Sequence, residues 1–178
     1  VDGENHLRDS GTYSYADSDW LNYFSGTASH NTVQFDDRDQ MPRLGRFLFG
    51  EWLRTRGLRP IEERADGVTC AASYRDSLGA WHRREVTLGD GFLRVRDEVG
   101  GFRRKAVLRW RLQPGSWRLQ GHSVTNGHRV LTVVTDVPVA RCDLTCGWES
   151  RYYLQKTFVP VVEVEIRQPG VLITEYRW

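Results

Sequence analysis

His30 and Asn31 stand together in the run Gly26-Thr27-Ala28-Ser29-His30-Asn31-Thr32-Val33-Gln34-Phe35-Asp36, with Asp39-Gln40 close behind. Imidazole titrates near neutrality and a carboxamide can stabilise charge on a neighbouring carboxylate, so the pair suits proton transfer beside an anionic group. A histidine in a β-rich chain ordinarily serves as a structural hydrogen-bonder, and the residue types alone leave both roles open. Position adds a condition. On a regular strand neighbouring side chains point to opposite faces, so the two cooperate only where the backbone bends or the strand ends. Gly26 and the Ser/Thr cluster allow such a bend here.

His82, in Ala80-Trp81-His82-Arg83-Arg84-Glu85-Val86, is a second candidate: a metal ligand, a substrate contact or, most simply, a surface residue of a strand. His6, His122 and His128 lie in turn-like or terminal segments. Asp36, Asp37 and Asp39 surround Arg38, but they lack the spacing and glycine of an EF-hand and read as a solvated turn. No nucleophile elbow, P-loop or His-Glu-x-x-His motif occurs, which removes common hydrolase and nucleotide-binding classes.

The elements that must position these groups follow a period of two rather than 3.6. Alternation marks Val33-Gln34-Phe35, Phe92 to Arg96, Val107 to Leu112, Val161 to Ile166 and Val171 to Tyr176. Between such runs stand Gly89-Asp90-Gly91, Gly100-Gly101, Pro114-Gly115, Asn126-Gly127 and Pro169-Gly170; the first and fourth have the chemistry of hairpin turns. About ten or more strands so punctuated predict an all-β, antiparallel multi-stranded β-sandwich. One short helix is expected from Asp19 to Ser25, capped by Asp17, Ser18 or Asp19. No repeat or linker divides the 178 residues, so one domain spanning 1–178 is expected.

Composition narrows the partners. The net charge of +2 calls for no nucleic acid, and no apolar run approaches the ~20 residues of a membrane-spanning helix. Lys105 and Lys156 are the only lysines among 25 basic residues; arginine suits bidentate recognition of carboxylate or sulfate, although coding bias explains the same excess. Cys70, Cys142 and Cys146 are odd in number, and the last two, if on one strand, lie roughly 13 Å apart, too far to bridge, so buried free thiols are expected. Val1 is preceded by no Met, basic segment or apolar leader, which fits processing or excision from a longer protein and leaves the compartment open.

The His30 block and its surroundings resemble the heparinase II/III-like family of polysaccharide lyases. The resemblance rests on Leu7-Arg8-Asp9-Ser10-Gly11-Thr12-Tyr13-Ser14-Tyr15, Trp20-Leu21-Asn22-Tyr23-Phe24-Ser25-Gly26-Thr27, Ser29-His30-Asn31-Thr32-Val33 and Asp39-Gln40. It extends to His82-Arg83-Arg84-Glu85-Val86, Leu93-Arg94-Val95-Arg96-Asp97 and Glu149-Ser150-Arg151-Tyr152-Tyr153. In that family an N-terminal (α/α) toroid packs on a C-terminal β-sandwich, and uronate-containing polysaccharide is cleaved between them by β-elimination. The resemblance implies that His30 is the sandwich's catalytic contribution, with Asn31, Arg38, Gln40 and His82 as support or substrate contacts. The family's catalytic tyrosine and its neutralising Asn or His come mainly from the toroid, which these 178 residues do not contain; Tyr13, Tyr15 and Tyr23 fit packing roles better. The implied molecule is therefore a lyase half, inactive alone, whose partners are an anionic polysaccharide and the toroid. The family also leans toward a bacterial periplasmic or secreted setting.

Some relatives hold a zinc in the sandwich with two histidines and an aspartate. His82 matches one such ligand, but Thr32 stands two residues past His30 and Arg46-Phe47-Leu48-Phe49-Gly50 offers no aspartate, so no metal and no cofactor is expected. Two readings outside catalysis remain. Trp20, Trp52, Trp81, Trp110 and Trp117 could stack on sugars in a glycan-binding module, although most lie in alternating runs that read as core. Alternatively, the sandwich only buttresses the toroid through an exposed apolar face.

Overall fold

The alternating runs become strands of two antiparallel sheets in the computed structural model, which describes residues 3–178. The smaller sheet has the order β1 (Val33–Phe35), β6 (Ala106–Arg111), β11 (Thr157–Ile166) and β10 (Val139–Glu149). The larger runs β2 (Arg54–Arg64), β3 (Gly67–Arg75), β4 (Trp81–Gly89), β5 (Phe92–Gly100), β12 (Gly170–Arg177), β9 (Val130–Thr135), β8 (Ser123–Thr125) and β7 (Arg118–Gln120). Asp90-Gly91 closes the β4–β5 hairpin, and Asn126-Gly127 lies in the turn between β8 and β9, as their turn chemistry predicts.

The core fills the space between the sheets. Leu108 and Trp110 of β6 and Val162, Val164 and Ile166 of β11 join one buried cluster with Val95, Val99, Leu131, Val133, Leu172 and Tyr176. Each such aliphatic side chain contributes about 1.5–3 kcal/mol on full burial. Trp110 also donates its indole N–H to Thr174 Oγ1 at 2.9 Å, tying the sheets together across the core. Trp110 and Trp117 are buried as expected, but Trp52 is 74% exposed. The thiols are free but not all buried: Cys70 and Cys142 are half-buried and Cys146 is exposed.

The outer face of the larger sheet is a ladder of charges, including Arg59–Glu85, Arg83–Glu98 and Arg94–Glu175. Such half-solvated pairs keep the face in water and contribute up to about 1 kcal/mol each. The smaller sheet, by contrast, is covered at one end of its outer side, which is where the site is built, while the β10 residues Arg141 and Asp143 stay solvent-exposed. Leu7 bridges Leu112, and Gly11 bridges Ser150, so the N-terminal segment lies along this sheet's end. The helix α1 (Ser18–Ser25) begins where the Asp17 carboxylate accepts the N–H groups of Asp19 and Trp20, each at 3.1 Å. Trp20 on its first turns meets Trp148 of β10 edge to face at 5.9 Å, and Phe24 is buried.

Gly11 makes that strap possible. Its φ is +71°, and a Cβ there would overlap the Ser150 carbonyl. Gly11→Ala is therefore expected to cost more than about 1 kcal/mol, through both the left-handed backbone and the clash. A chemical denaturation midpoint unchanged from that of the unaltered protein would contradict this.

Candidate functional site

The backbone bends where cooperation between His30 and Asn31 requires it. A 3-10 turn, Thr27–Ser29, ends at His30, whose φ of −123° and ψ of 161° carry the chain out of the turn before β1 starts at Val33. Asp39 Oδ1 accepts the Thr27 N–H at 2.7 Å, and Thr27 Oγ1 accepts the Gln40 N–H at 2.8 Å. The two short segments thus hold each other in place. Ser29 adds a bond from its hydroxyl to the Tyr23 carbonyl at 2.5 Å.

His30 points to the surface, with 38% of its side chain exposed. Its Nδ1 lies 2.7 Å from Asp9 Oδ1. A carboxylate only accepts, so Nδ1 carries the proton in this bond and, in the neutral ring, Nε2 holds the lone pair. The same bond is the largest influence on Asp9; together with N–H groups of the backbone it outweighs partial burial and holds the carboxyl below its ordinary range. The arrangement is a base–carboxylate dyad: an oriented imidazole whose second nitrogen is available to a reacting group.

Asn31 is used differently. The last backbone bond of the β1–β6 pairing runs from Arg109 N–H to Thr32 O at 3.0 Å, and one step further the Asn31 side chain replaces the strand. Its Oδ1 accepts the Arg111 N–H at 2.7 Å and its Nδ2 donates to the Arg8 carbonyl at 3.0 Å. Arg8 N–H in turn bonds Arg111 O at 2.8 Å. Both ends of the carboxamide therefore stitch the N-terminal segment to β6, and so fix Asp9 opposite His30. This is a supporting position.

Behind the bend lies a buried network. Arg84 Nη1 donates to the Asn31 carbonyl at 2.5 Å, while Arg84 Nε and Nη2 grip the two oxygens of Asp97 at 2.6 and 3.1 Å. His82, read from sequence as a substrate contact or surface residue, turns inward instead: it is 4% exposed and its Nε2 meets Asp97 Oδ1 at 2.6 Å. Burial pushes the Asp97 carboxyl up, but Arg84 and His82 outweigh it and the net shift is downward. Arg84 also lies over the Trp110 ring at 5.2 Å, which shields the network from the core side.

Gln40 Nε2 donates to Tyr74 Oη at 2.8 Å and to Thr32 Oγ1 at 3.3 Å, so this carboxamide also braces the bend. Burial is the main reason the Tyr74 phenol titrates well above its usual range. Arg38 pairs with the buried Asp76 at 2.5 Å. Asp36 accepts N–H groups of Arg103, Arg104 and Lys105 at 3.0, 2.7 and 3.1 Å, and so clamps the β5–β6 connection. Among the described residues, no group of three or more His, Cys, Asp or Glu could hold a metal ion. The position where His82 and Asp97 meet is already filled by the Arg84 cation.

Of the five site residues expected from sequence, only His30 presents its functional atoms to solvent at this bend. Asn31 and Gln40 brace it, His82 lies beneath it, and Arg38 is engaged elsewhere. Asp9 and Arg84–Asp97 were not singled out. Asp9 is 21 residues from His30, and no local spacing joins them. Arg84–Asp97 did leave a signal: counting back from the Asp90-Gly91 turn places these two opposite each other on β4 and β5.

The fold and this bend define a class. The profile of the family "Heparinase II/III-like, C-terminal" matches residues 1–155, and the chain belongs to that family. Among solved structures, the heparinase III described as the BT4657 gene product superimposes with a TM-score of 0.82 at 18% identity, covering 99% of this chain. The heparan sulfate lyase HepC from Pedobacter heparinus gives 0.73 at 17% identity over 98%, and a further heparinase III gives 0.72 at 18% over 98%. At these identities the likeness is one of fold. The chain spans 28% of the length of each of these structures. No curated protein sequence matches it.

Proposed function

We propose that this chain is the β-sandwich part of a polysaccharide lyase that cleaves uronate-containing anionic polysaccharide by β-elimination, completed by an (α/α) toroid domain and inactive without it. The observation that carries the reading is the solvent-facing His30–Asp9 dyad, with Nε2 as its open nitrogen. β-Elimination requires a base at C5 of the uronate, an acid at the departing O4, and a neutralising group for the carboxylate as the enediolate develops. In this reading His30 performs one of the two proton transfers. Asp9 keeps the ring in the tautomer that exposes Nε2, and Asn31 and Gln40 hold the bend against the sheet. The other acid–base group and the group that neutralises the carboxylate come from the toroid, as the family resemblance implies.

A second reading, an accessory module that buttresses the toroid or holds acidic glycan, has one observation in its favour. Leu44, Phe47, Leu48 and Trp52 are 58–74% exposed on the 41–53 connection, an apolar surface of the kind that meets another domain. Product chemistry separates the readings. The lyase reading predicts fragments from heparan-type polysaccharide, in the presence of the toroid, that carry an unsaturated uronate and have gained no water by mass spectrometry. Binding of the polysaccharide with no fragments formed would favour the accessory module, and hydrolysed fragments would refute elimination.

A further inference from the structure

On the outer face of the larger sheet, arginine and glutamate are matched along much of the surface: Arg59 with Glu85, Arg83 and Arg96 with Glu98, and Arg94 with Glu175. At one end of that face the matching stops. The β2–β3 register sets Arg54 directly opposite Arg75, and the β3–β4 register sets Trp81, not a carboxylate, on the other side of Arg75. Arg56, two residues along β2, lies on the same face. All three arginines are exposed, and none forms an ion pair among the described residues. Arg75 Nη1 donates to the Gly79 carbonyl at 3.2 Å, which leaves its other nitrogens free to meet an acceptor. Like charges directly opposite each other destabilise a strand pair, and an anion shared between them relieves that repulsion.

Arg54 and Arg75 line a pocket of about 440 Å³ together with Trp52, which is 74% exposed. Glu51, just before the indole, holds a left-handed φ of +50°, uncommon outside glycine, and its carboxylate accepts the Ser77 hydroxyl. The loop is thereby pinned to the β3–β4 turn with Trp52 left in solvent. The pocket's other carboxylate is already occupied. Asp76 is buried, accepts the N–H groups of Leu78 and Ala80 at 3.0 and 2.9 Å, and pairs with Arg38 at 2.5 Å. Leu44, Phe47 and Leu48 take no part in this lining, so its polar surroundings set Trp52 apart from the apolar surface of the same connection. An exposed indole offers its face to a sugar ring, and two guanidiniums offer forked donors to an oxyanion on that ring. We propose that Trp52, Arg54 and Arg75 form a binding site for an acidic sugar residue, the indole stacking on the ring and the arginines sharing its carboxylate or sulfate ester. The glycan class is that of the lyase reading, but the site itself needs neither His30 nor elimination.

The test is equilibrium binding of fluorescently labelled heparan sulfate, hyaluronan and alginate oligosaccharides to this chain, followed by anisotropy. At least one is expected to bind saturably. Trp52→Ala and Arg75→Ala are each expected to weaken that binding about tenfold. Arg118→Ala, an exposed arginine on β7 at the opposite edge of the sheet, is expected to leave it unchanged. Without ligand the thermal midpoint of Arg75→Ala should be no lower than that of the unaltered protein, because a like-charge contact is removed. Against an oligosaccharide both desulfated and carboxyl-reduced, Trp52→Ala should still weaken binding while Arg75→Ala makes no difference. His30→Gln should bind as the unaltered protein does. No saturable binding of any of the three, or binding indifferent to Trp52→Ala and Arg75→Ala, would overturn the site and leave the lyase reading standing. Loss of the binding once the toroid domain is supplied would also overturn it, since Trp52 would then be a domain contact. Fragments lacking the unsaturated uronate, tested separately, would overturn the lyase reading and leave this site standing.

Discussion

His30→Gln is expected to lower the rate of polysaccharide cleavage by about 10²- to 10⁴-fold, the usual contribution of a positioned acid or base. The protein should still fold normally, because among the described residues the only side-chain partner of the imidazole is Asp9, itself 65% exposed. Glutamine retains polarity and size but cannot exchange a proton at the position of Nε2. Binding of the polysaccharide should therefore persist while turnover is lost, so the effect falls on kcat rather than on KM. Asp9→Asn offers an internal comparison. It removes the carboxylate that selects the ring tautomer but leaves the imidazole, and a smaller loss is expected. Turnover by His30→Gln equal to that of the unaltered protein would remove His30 from the chemistry.

Asp97→Asn is expected to destabilise the fold by about 3–5 kcal/mol, the usual cost of breaking a buried ion pair by removing one partner. Asp97 is fully buried and held by three bonds, two from Arg84 and one from His82. The loss corresponds to a fall in thermal midpoint on the order of 10 °C for a domain of this size. Glu175→Gln serves as the contrast: it breaks pairs with Arg94 and Arg177 on the solvated face and should cost less than about 1 kcal/mol. The effect should also reach the site, because Arg84 bonds the Asn31 carbonyl as well as Asp97.

The acid limb of stability follows from the same groups. Asp97 and Asp9 both titrate below their ordinary range, so each stabilises the fold fully above its unfolded-state pKa near about 4. That contribution is lost as pH falls through the lower, folded-state value. Stability measured between about pH 5 and 2 should therefore drop less steeply in Asp97→Asn than in the unaltered protein. Equal stability of the two proteins at pH 7 would contradict the account of the buried pair.

The sandwich was legible because most of its strands bury one face, and burial leaves the period of two in the sequence. The helix was legible from Asp17 and the run behind it, and the structure shifts its first residue only to Ser18. β2 was not. Ten of its eleven residues are exposed, Pro60 and Gly57 interrupt it, and an edge strand wetted on both faces carries no alternation to read. At the site, His30 stood out through its residue type and its neighbours, but the roles around it depend on contacts across the sheet. Asn31 looks like a substrate ligand until Arg111 N–H is seen to occupy its carbonyl. His82 looks exposed on an alternating strand until the β4–β5 register sets it beside Val99, inside the sandwich.

The most direct test of the central claim is the ultraviolet absorbance of the unsaturated uronate formed on cleavage. It would be followed over a panel of heparan, hyaluronan and alginate polymers, with the 178-residue chain alone and with its toroid domain supplied. The account predicts a rising absorbance on at least one polymer when the two domains act together, and none with this chain alone. A rise with the chain alone would contradict the division of catalytic groups between sandwich and toroid, and a flat trace in both would contradict the lyase assignment.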